Sequence, residues 1–300
     1  MSFLKRLTRS EGEVLTLTVR GGQLRLLIAQ GQKVLWFRVV PLNPAFLEGG
    51  VIARPDGVAA SVIAALQLGE RHGVKRCVAA LPGFHSQCEM IDLPQAREAR
   101  PEEVLPREAR RLFSFRPDSS TLSWWRVPEG GVSRRYAMVI TRTAALYALQ
   151  EVARLAKLRL VAVDSGPLAL ARATNSPDGI AVQAESDGCE IVVLKEGRLG
   201  LVRSAFWGAE VIDPDTLAAR VVDLVERSVA THNDGSSTGP LSGDSPIYLA
   251  GAAAEALGPQ LARSLGRPLG KWAPPLDLPG DFPLTDLATN LGLVLRDVRR

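Results

Sequence analysis

The residues of this chain able to do chemistry stand mostly at turns. Gly21-Gly22 breaks an alternating strand pattern, and Glu185-Ser186-Asp187-Gly188 breaks a second one. Gly251 follows a short apolar run, Pro246 to Ala250. Glycine at such turns lets successive backbone N–H groups close around an anion, which is how several folds hold phosphate. Asp164 follows a predicted strand. It is either the carboxylate base that phosphoryl transfer requires or a cap on the helix that comes next. Cys77, Cys88 and Cys189 are odd in number and fit no zinc spacing, so they read as buried reduced thiols. His72, His85 and His232 add no metal pattern, and no G-x-S-x-G motif marks a nucleophile.

The elements around these turns follow from periodicity. Val14 to Val40 alternates as three strands: Leu15, Leu17 and Val19, then Leu24, Leu26 and Ile28, then Val34 onward. Residues 57–71 read as a helix with Asp56 as N-cap and Gly73 as stop. Cys77 to Leu81 is a continuous apolar run, expected to be a strand buried on both faces. Residues 84–157 differ in character. Strand Glu89 to Leu93, a helix from Pro101 that Pro106 must kink or restart, strand Leu122 to Val127, a Gly130-Gly131 turn and strand Arg135 to Thr141 follow in order. A helix capped by Thr143 then completes a β-α-β-β-α insert. Trp124 and Trp125 are adjacent on a strand and must point to opposite faces.

The opening pattern then recurs. Ile180 to Gln183, Ile191 to Lys195 and Leu199 to Ser204 form a second three-strand meander. An amphipathic helix over 216–231, a polar loop over 233–245 expected to be disordered, strand Pro246 to Ala250 and helix Ala253 to Leu265 follow. A Pro-rich connector and a last helix from Leu284 end the chain. A duplicated unit shows architecture before it shows function. The expected fold is α/β and two-lobed. A leader (1–12) precedes a first core domain (13–83 and 158–178, with helix 284–300), an insert (84–157) and a second core domain (179–283).

Composition bounds the rest. With 300 residues, 46% hydrophobic and 23% charged, the chain can bury a large core. No apolar run reaches the ~18–20 residues that span a bilayer, and Met1 to Leu7 is too short for a signal peptide. The expected place is therefore the cytoplasm. A net charge of +4, with short clusters at Arg107, Arg110, Arg111 and at Arg296, Arg299, Arg300, is no nucleic-acid signature.

This layout resembles the actin/Hsp70-like superfold and, within it, the PilM proteins of type IV pilus assembly, relatives of FtsA. The resemblance spans nearly the whole chain. It rests on Pro41-Leu42, Gly49-Gly50-Val51-Ile52, Val78 to Gly83, Glu89 to Pro94, Glu108-Ala109 with Phe115-Arg116-Pro117, Leu168 to Ala173, and Ile247 to Gly251, in that order. It implies an ATP site between the lobes, formed here by Gly21, Gly22, Gly188 and Gly251. That site departs from the family pattern. Thr18 stands in place of the first turn's Asp and Arg20 in place of its first Gly. Gln183 replaces the second turn's Asp, and Glu185 and Asp187 put negative charge where phosphate should lie. Ala252 to Ala254 replace a glycine run. The expectation is a pseudo-ATPase with no cofactor, against the alternative of an active ATPase or small-molecule kinase that uses ATP and Mg2+.

The resemblance also implies a partner, the N-terminal tail of a PilN-like single-pass membrane protein. The tail would dock between the insert and the first core domain and hold the chain on the inner face of the cytoplasmic membrane. The expected lining is Met90, Leu93, Phe113, Phe115, Trp124 and Trp125. A homodimer stays open as an oligomeric state. An FtsA-like filament is disfavoured, because no membrane helix follows Leu291 to Arg300.

Overall fold

A computed structural model describes residues 12–71, 73–93, 100–113, 115–127, 134–208, 213–235 and 239–298. Leader residues 1–11, His72, Pro94, the Gly130-Gly131 turn and the terminal Arg299-Arg300 lie outside these. Strands β1 (Val14–Arg20), β2 (Gln23–Gln30) and β3 (Lys33–Pro41) form the first meander. A small ribbon, β4 (Leu47–Glu48) with β5 (Val51–Ile52), leads to α1 (Pro55–Leu68) and β6 (Arg76–Leu81). The insert holds β7 (Ser86–Leu93), α2 (Pro101–Phe113), β8 (Ser120–Arg126) and β9 (Arg134–Arg142). Then come α3 (Thr143–Leu155), β10 (Arg159–Ser165) and α4 (Gly166–Thr174). The second meander is β11 (Gly179–Glu185), β12 (Gly188–Lys195) and β13 (Arg198–Phe206), followed by α5 (Pro214–Gly235), β14 (Ile247–Ala250), α6 (Ala254–Leu265) and α7 (Leu284–Val298).

The duplication is visible in the sheets. The first runs β10-β6-β1-β2-β3, the second β13-β12-β11-β14. In each, the first strand of the meander pairs antiparallel with the next and parallel with a later strand, β6 or β14. One face of the first sheet packs on α1 and α3 through Leu15, Leu17, Val58, Val62, Leu149 and Val152. One face of the second packs on α5 and α6 through Ile180, Val182, Val221, Val225 and Leu261. Between the sheets lie α4 and α7. Gly292 is the reason these two helices can cross so closely, since a Cβ there would stand 1.7 Å from the Ala169 carbonyl oxygen. The insert makes its own three-stranded sheet, β7-β9-β8, with α2 on one face.

Several expectations are corrected. Helix α3 packs in the first lobe's core and not with the insert, because Ala145, Leu149, Val152 and Ala153 face α1 and the sheet. Asp56 is not the N-cap of α1. Pro55 and Asp56 occupy its first turn, and the Asp56 carboxylate pairs with Arg54 at 3.0 Å. That helix ends at Leu68, before Gly69, and Glu70 rather than Gly73 takes the left-handed turn at φ 54°. Thr143 is the first helical residue of α3 rather than its cap. Helix α2 runs through Pro106 unbroken. The 233–245 stretch begins as the last turn of α5. Asn233 Oδ1 accepts from the Leu241 N–H at 2.9 Å, and Leu241 is buried in the second core, which anchors the described part of the loop.

Candidate functional site

The cleft between the lobes is built by the two duplicated turns. Arg20 ends β1 opposite Gln23, and Glu185 ends β11 opposite Gly188. Arg25 and Glu190 lie two residues beyond those hairpin partners, so the arginine pair and the glutamate pair occupy equivalent places in the two lobes. They pair crosswise. Arg20 Nη1 lies 2.7 Å from Glu190 Oε1. Arg25 donates from Nη1 to Glu185 Oε1 at 2.5 Å and from Nη2 to Oε2 at 2.9 Å. All four side chains are at least 95% buried. The Gly83 N–H donates to Glu190 Oε1 at 2.5 Å, and the Ala252 N–H donates to Glu185 Oε2 at 3.3 Å.

Burial opposes the charges on Arg20, Glu185 and Glu190, and the neighbouring charges outweigh it at the first two. Burial pushes Glu185 up, and Arg25 and Arg20 outweigh it and hold the carboxyl below its ordinary range. Burial also works against the charge on Arg20, and Glu190 with Glu185 more than compensates, raising its pKa. At Glu190 burial dominates over Arg20 and the pKa is raised; its Oε2 has no hydrogen-bond partner among the described residues. Burial likewise raises Asp187, against the pull of Arg20.

The two positions where the resemblance expects aspartates are tied to α7. Thr18 Oγ1 donates to Asn290 Oδ1 at 3.1 Å, and Thr289 Oγ1 donates to Gln183 Oε1 at 3.0 Å. Gln183 Nε2 donates to Glu185 Oε1 at 2.5 Å. These groups are buried and satisfied by one another. In front of them lies a cavity of about 710 Å³, lined by Gly21, Gly22, Leu47, Asp187, Phe206 and Ala252 among others. Of the four glycines expected to hold nucleotide, Gly21 and Gly22 line this cavity. Gly188 lies under the Ala205 carbonyl, and Gly251 (φ 98°) lies against the Ala184 carbonyl. Both glycines are required by close backbone approach within the second lobe. Among the described residues no cluster of His, Cys, Asp or Glu is arranged to hold a metal.

Asp164 is neither a free base nor a helix cap. Its carboxylate is held by Arg172 and by Arg296 Nε at 3.2 Å, and it accepts from the Ser165 N–H at 2.8 Å. Cys77, Cys88 and Cys189 are buried thiols, as expected; burial pushes Cys77 and Cys88 up to about 12.

A second concavity lies beside the insert. A groove of about 550 Å³ is lined by Ser123, Trp125 and Val139 of the insert and by Leu146, Leu168 and Arg172 of the core. A neighbouring groove of about 500 Å³ is lined by Trp125, Leu168, Arg172, Leu194 and Leu199. Trp125, 44% exposed, is common to both. The six residues expected to line a partner groove do not share one surface. Strand alternation divides them. Leu93, Phe113, Phe115 and Trp124 pack in the insert's own core against α2 and β9. Met90 and Trp125 both stand opposite Ala137, on the other face of the sheet. Of the six, Trp125 lines the two grooves beside the insert.

Sequence reasoning missed the roles of Arg25 and Glu190, which pair with Glu185 and Arg20 respectively. The available signal was a charged residue inside a run such as Leu24-Arg25-Leu26 or Cys189-Glu190-Ile191, where a buried strand needs a counter-charge.

No protein-family model matches the chain, and no curated protein matches it in sequence. Solved structures do match. A chain of a PilM-PilN type IV pilus biogenesis complex is 21% identical, with a TM-score of 0.77 over 97% of this chain and 99% of that one. A Bacteroides thetaiotaomicron protein with an actin-like ATPase fold is 12% identical, with a TM-score of 0.53 over 96% and 98%. The cytoplasmic domain of EpsL, an inner-membrane component of the Vibrio cholerae type II secretion system, is 11% identical, with a TM-score of 0.52 over 96% and 95%. The chain therefore has the actin-like ATPase fold, duplicated and two-lobed with a small inserted subdomain, in the arrangement found in the PilM-PilN complex.

Proposed function

We propose that this chain is a cytoplasmic scaffold of a type IV pilus or related secretion or competence assembly platform. It binds the N-terminal tail of a PilN-like single-pass membrane protein and turns over no ATP. The observation that carries the reading is the groove beside Trp125: an exposed indole on the wall between insert and core, where an extended apolar peptide can lay alternate side chains. Trp and Arg, both present there, are the residue types that most often dominate binding energy at such surfaces. The likeness to a chain from a PilM-PilN complex supports the choice of partner. Among the described residues no helix is long and apolar enough to cross a membrane, so attachment through a partner's tail suits the chain. The state of the cleft supports the absence of turnover, since Glu190 and Glu185 occupy Arg20 and Arg25, and Asp164 is engaged by two arginines.

Titration calorimetry tests both halves. A synthetic peptide copying the N-terminal cytoplasmic tail of a PilN-like single-pass membrane protein is expected to bind, and Mg-ATP is expected to give no heat. Failure of the peptide removes the scaffold reading. Binding of Mg-ATP with phosphate release restores the ATPase alternative.

A further inference from the structure

We propose that the first lobe carries an anion-binding cradle made by Arg20, Arg25 and the Gly83 N–H, and that the second lobe fills it with its own Glu185 and Glu190 carboxylates. The lobes are thereby clasped by the chain's own charges at the end of the cleft where a nucleotide's phosphates would lie. The inference concerns the cleft and not the tail groove. It shares with the proposed function only the absence of nucleotide turnover, so it stands or fails apart from the scaffold reading.

Three features carry it. First, the charges segregate by lobe. At the two equivalent positions of the duplicated meander, the first lobe is basic twice and the second lobe acidic twice. Each ion pair therefore bridges the lobes and none forms within a lobe. Second, backbone donors complete the coordination. The Gly83 N–H comes from the turn after β6 and the Ala252 N–H from the turn after β14, the strands that pair parallel with β1 and β11. Two guanidinium groups with an N–H from a strand-to-loop turn are the donor set expected for an oxyanion. Third, the site is built around its occupants. A Cβ on Gly166 would lie 2.8 Å from Arg20 Nη1, and one on Gly21 would lie 2.8 Å from Glu185 Oε2. The chain leaves room for these four side chains at both places.

The clasp has a consequence for the rest of the molecule. The groove that Trp125 shares has walls from the insert, from α4 and from Leu194 and Leu199 of the second lobe. Cys88 and Val139 of the insert pack with Leu168 of α4 and against Leu199 and Val202 of the second lobe. A fixed lobe angle therefore fixes that groove. In this chain the angle is set by residues that are always present.

The test uses the full chain with single cysteines placed for spin labels at exposed Gln67 in the first lobe and Glu226 in the second; the three native thiols are buried. Inter-label distances and calorimetry with inorganic pyrophosphate are measured on the parent chain and on Glu185→Gln/Glu190→Gln. The parent is expected to show one narrow distribution, unmoved by Mg-ATP, and no pyrophosphate binding. The double variant keeps both arginines and loses both competing charges. It is expected to show a longer, broader distribution, to bind pyrophosphate roughly tenfold or more tightly than the parent, and to narrow again when it does. Glu190→Gln alone is the milder variant if the double variant loses its circular dichroism. It leaves Arg25–Glu185 paired and should give the same changes at smaller amplitude. A parent whose distribution moves with Mg-ATP overturns the clasp. So does a folded variant that stays closed, or one that opens without taking pyrophosphate.

Discussion

Arg25 and Glu185 meet across the cleft through two parallel hydrogen bonds, with each side chain only 1% exposed. A bidentate pair of this kind is strong only while both members are present, because each charge alone would be stranded out of water. Arg25→Met should therefore cost about 3–5 kcal/mol in urea unfolding. Adding Glu185→Leu to Arg25→Met should recover most of that loss. Equal stabilities for the single and double variants would show that Glu185 finds another partner when Arg25 is gone.

Trp124 and Trp125 are neighbours in sequence with opposite surroundings. Trp125→Ala should leave the unfolding midpoint almost unchanged and weaken tail-peptide binding roughly tenfold or more. Trp124→Ala should do the reverse to stability, costing about 3 kcal/mol through the cavity it leaves in the insert. Peptide titration and thermal melts on both variants separate the two roles. Loss of binding in neither would move the tail away from this groove.

His85 is buried edge-on to Phe84, with ring centres 4.6 Å apart. Burial, aided by Arg142, lowers its pKa from 6.5 to about 4. The unfolded chain thus binds a proton between these values that the folded chain does not. Stability must fall as pH drops from 6.5 towards 4, by up to about 3 kcal/mol for this group. Denaturant melts at pH 7 and pH 4.5 should show the loss, and His85→Phe should flatten it. An unchanged slope in the variant would assign the acid sensitivity elsewhere.

Gly292 is the contact point of α7 with α4. Gly292→Ala normally favours a helix, yet here the new methyl would meet the Ala169 carbonyl at 1.7 Å. The variant should be destabilised by about 1–3 kcal/mol, the cost typical of overpacking. A neutral or stabilising result in thermal unfolding would mean that the two helices separate easily.

Local pattern determined a great deal about this protein. Alternation in Val14 to Val40 and its echo after Gly179 carried the duplicated meander to within three residues at each strand end, because strand period and turn glycines are local properties. The same logic placed Trp124 and Trp125 on opposite faces; that Thr18 and Gln183 stand where aspartates are expected came from the family resemblance alone. Tertiary structure decided what these two residues touch. Nothing near Arg25 in the sequence names Glu185, and nothing near Thr18 names Asn290, since these partners lie 160 and 272 residues away. It also decided that α3 belongs to the first lobe, and that four of six candidate groove residues are core. A side chain's period says which face it takes; what covers that face depends on long-range packing. The sequence alone thus determined the duplicated architecture. Only the folded chain decided that Arg20 and Arg25 meet Glu190 and Glu185 across the cleft between the lobes, because burying a charge demands a partner that distance along the chain does not reveal.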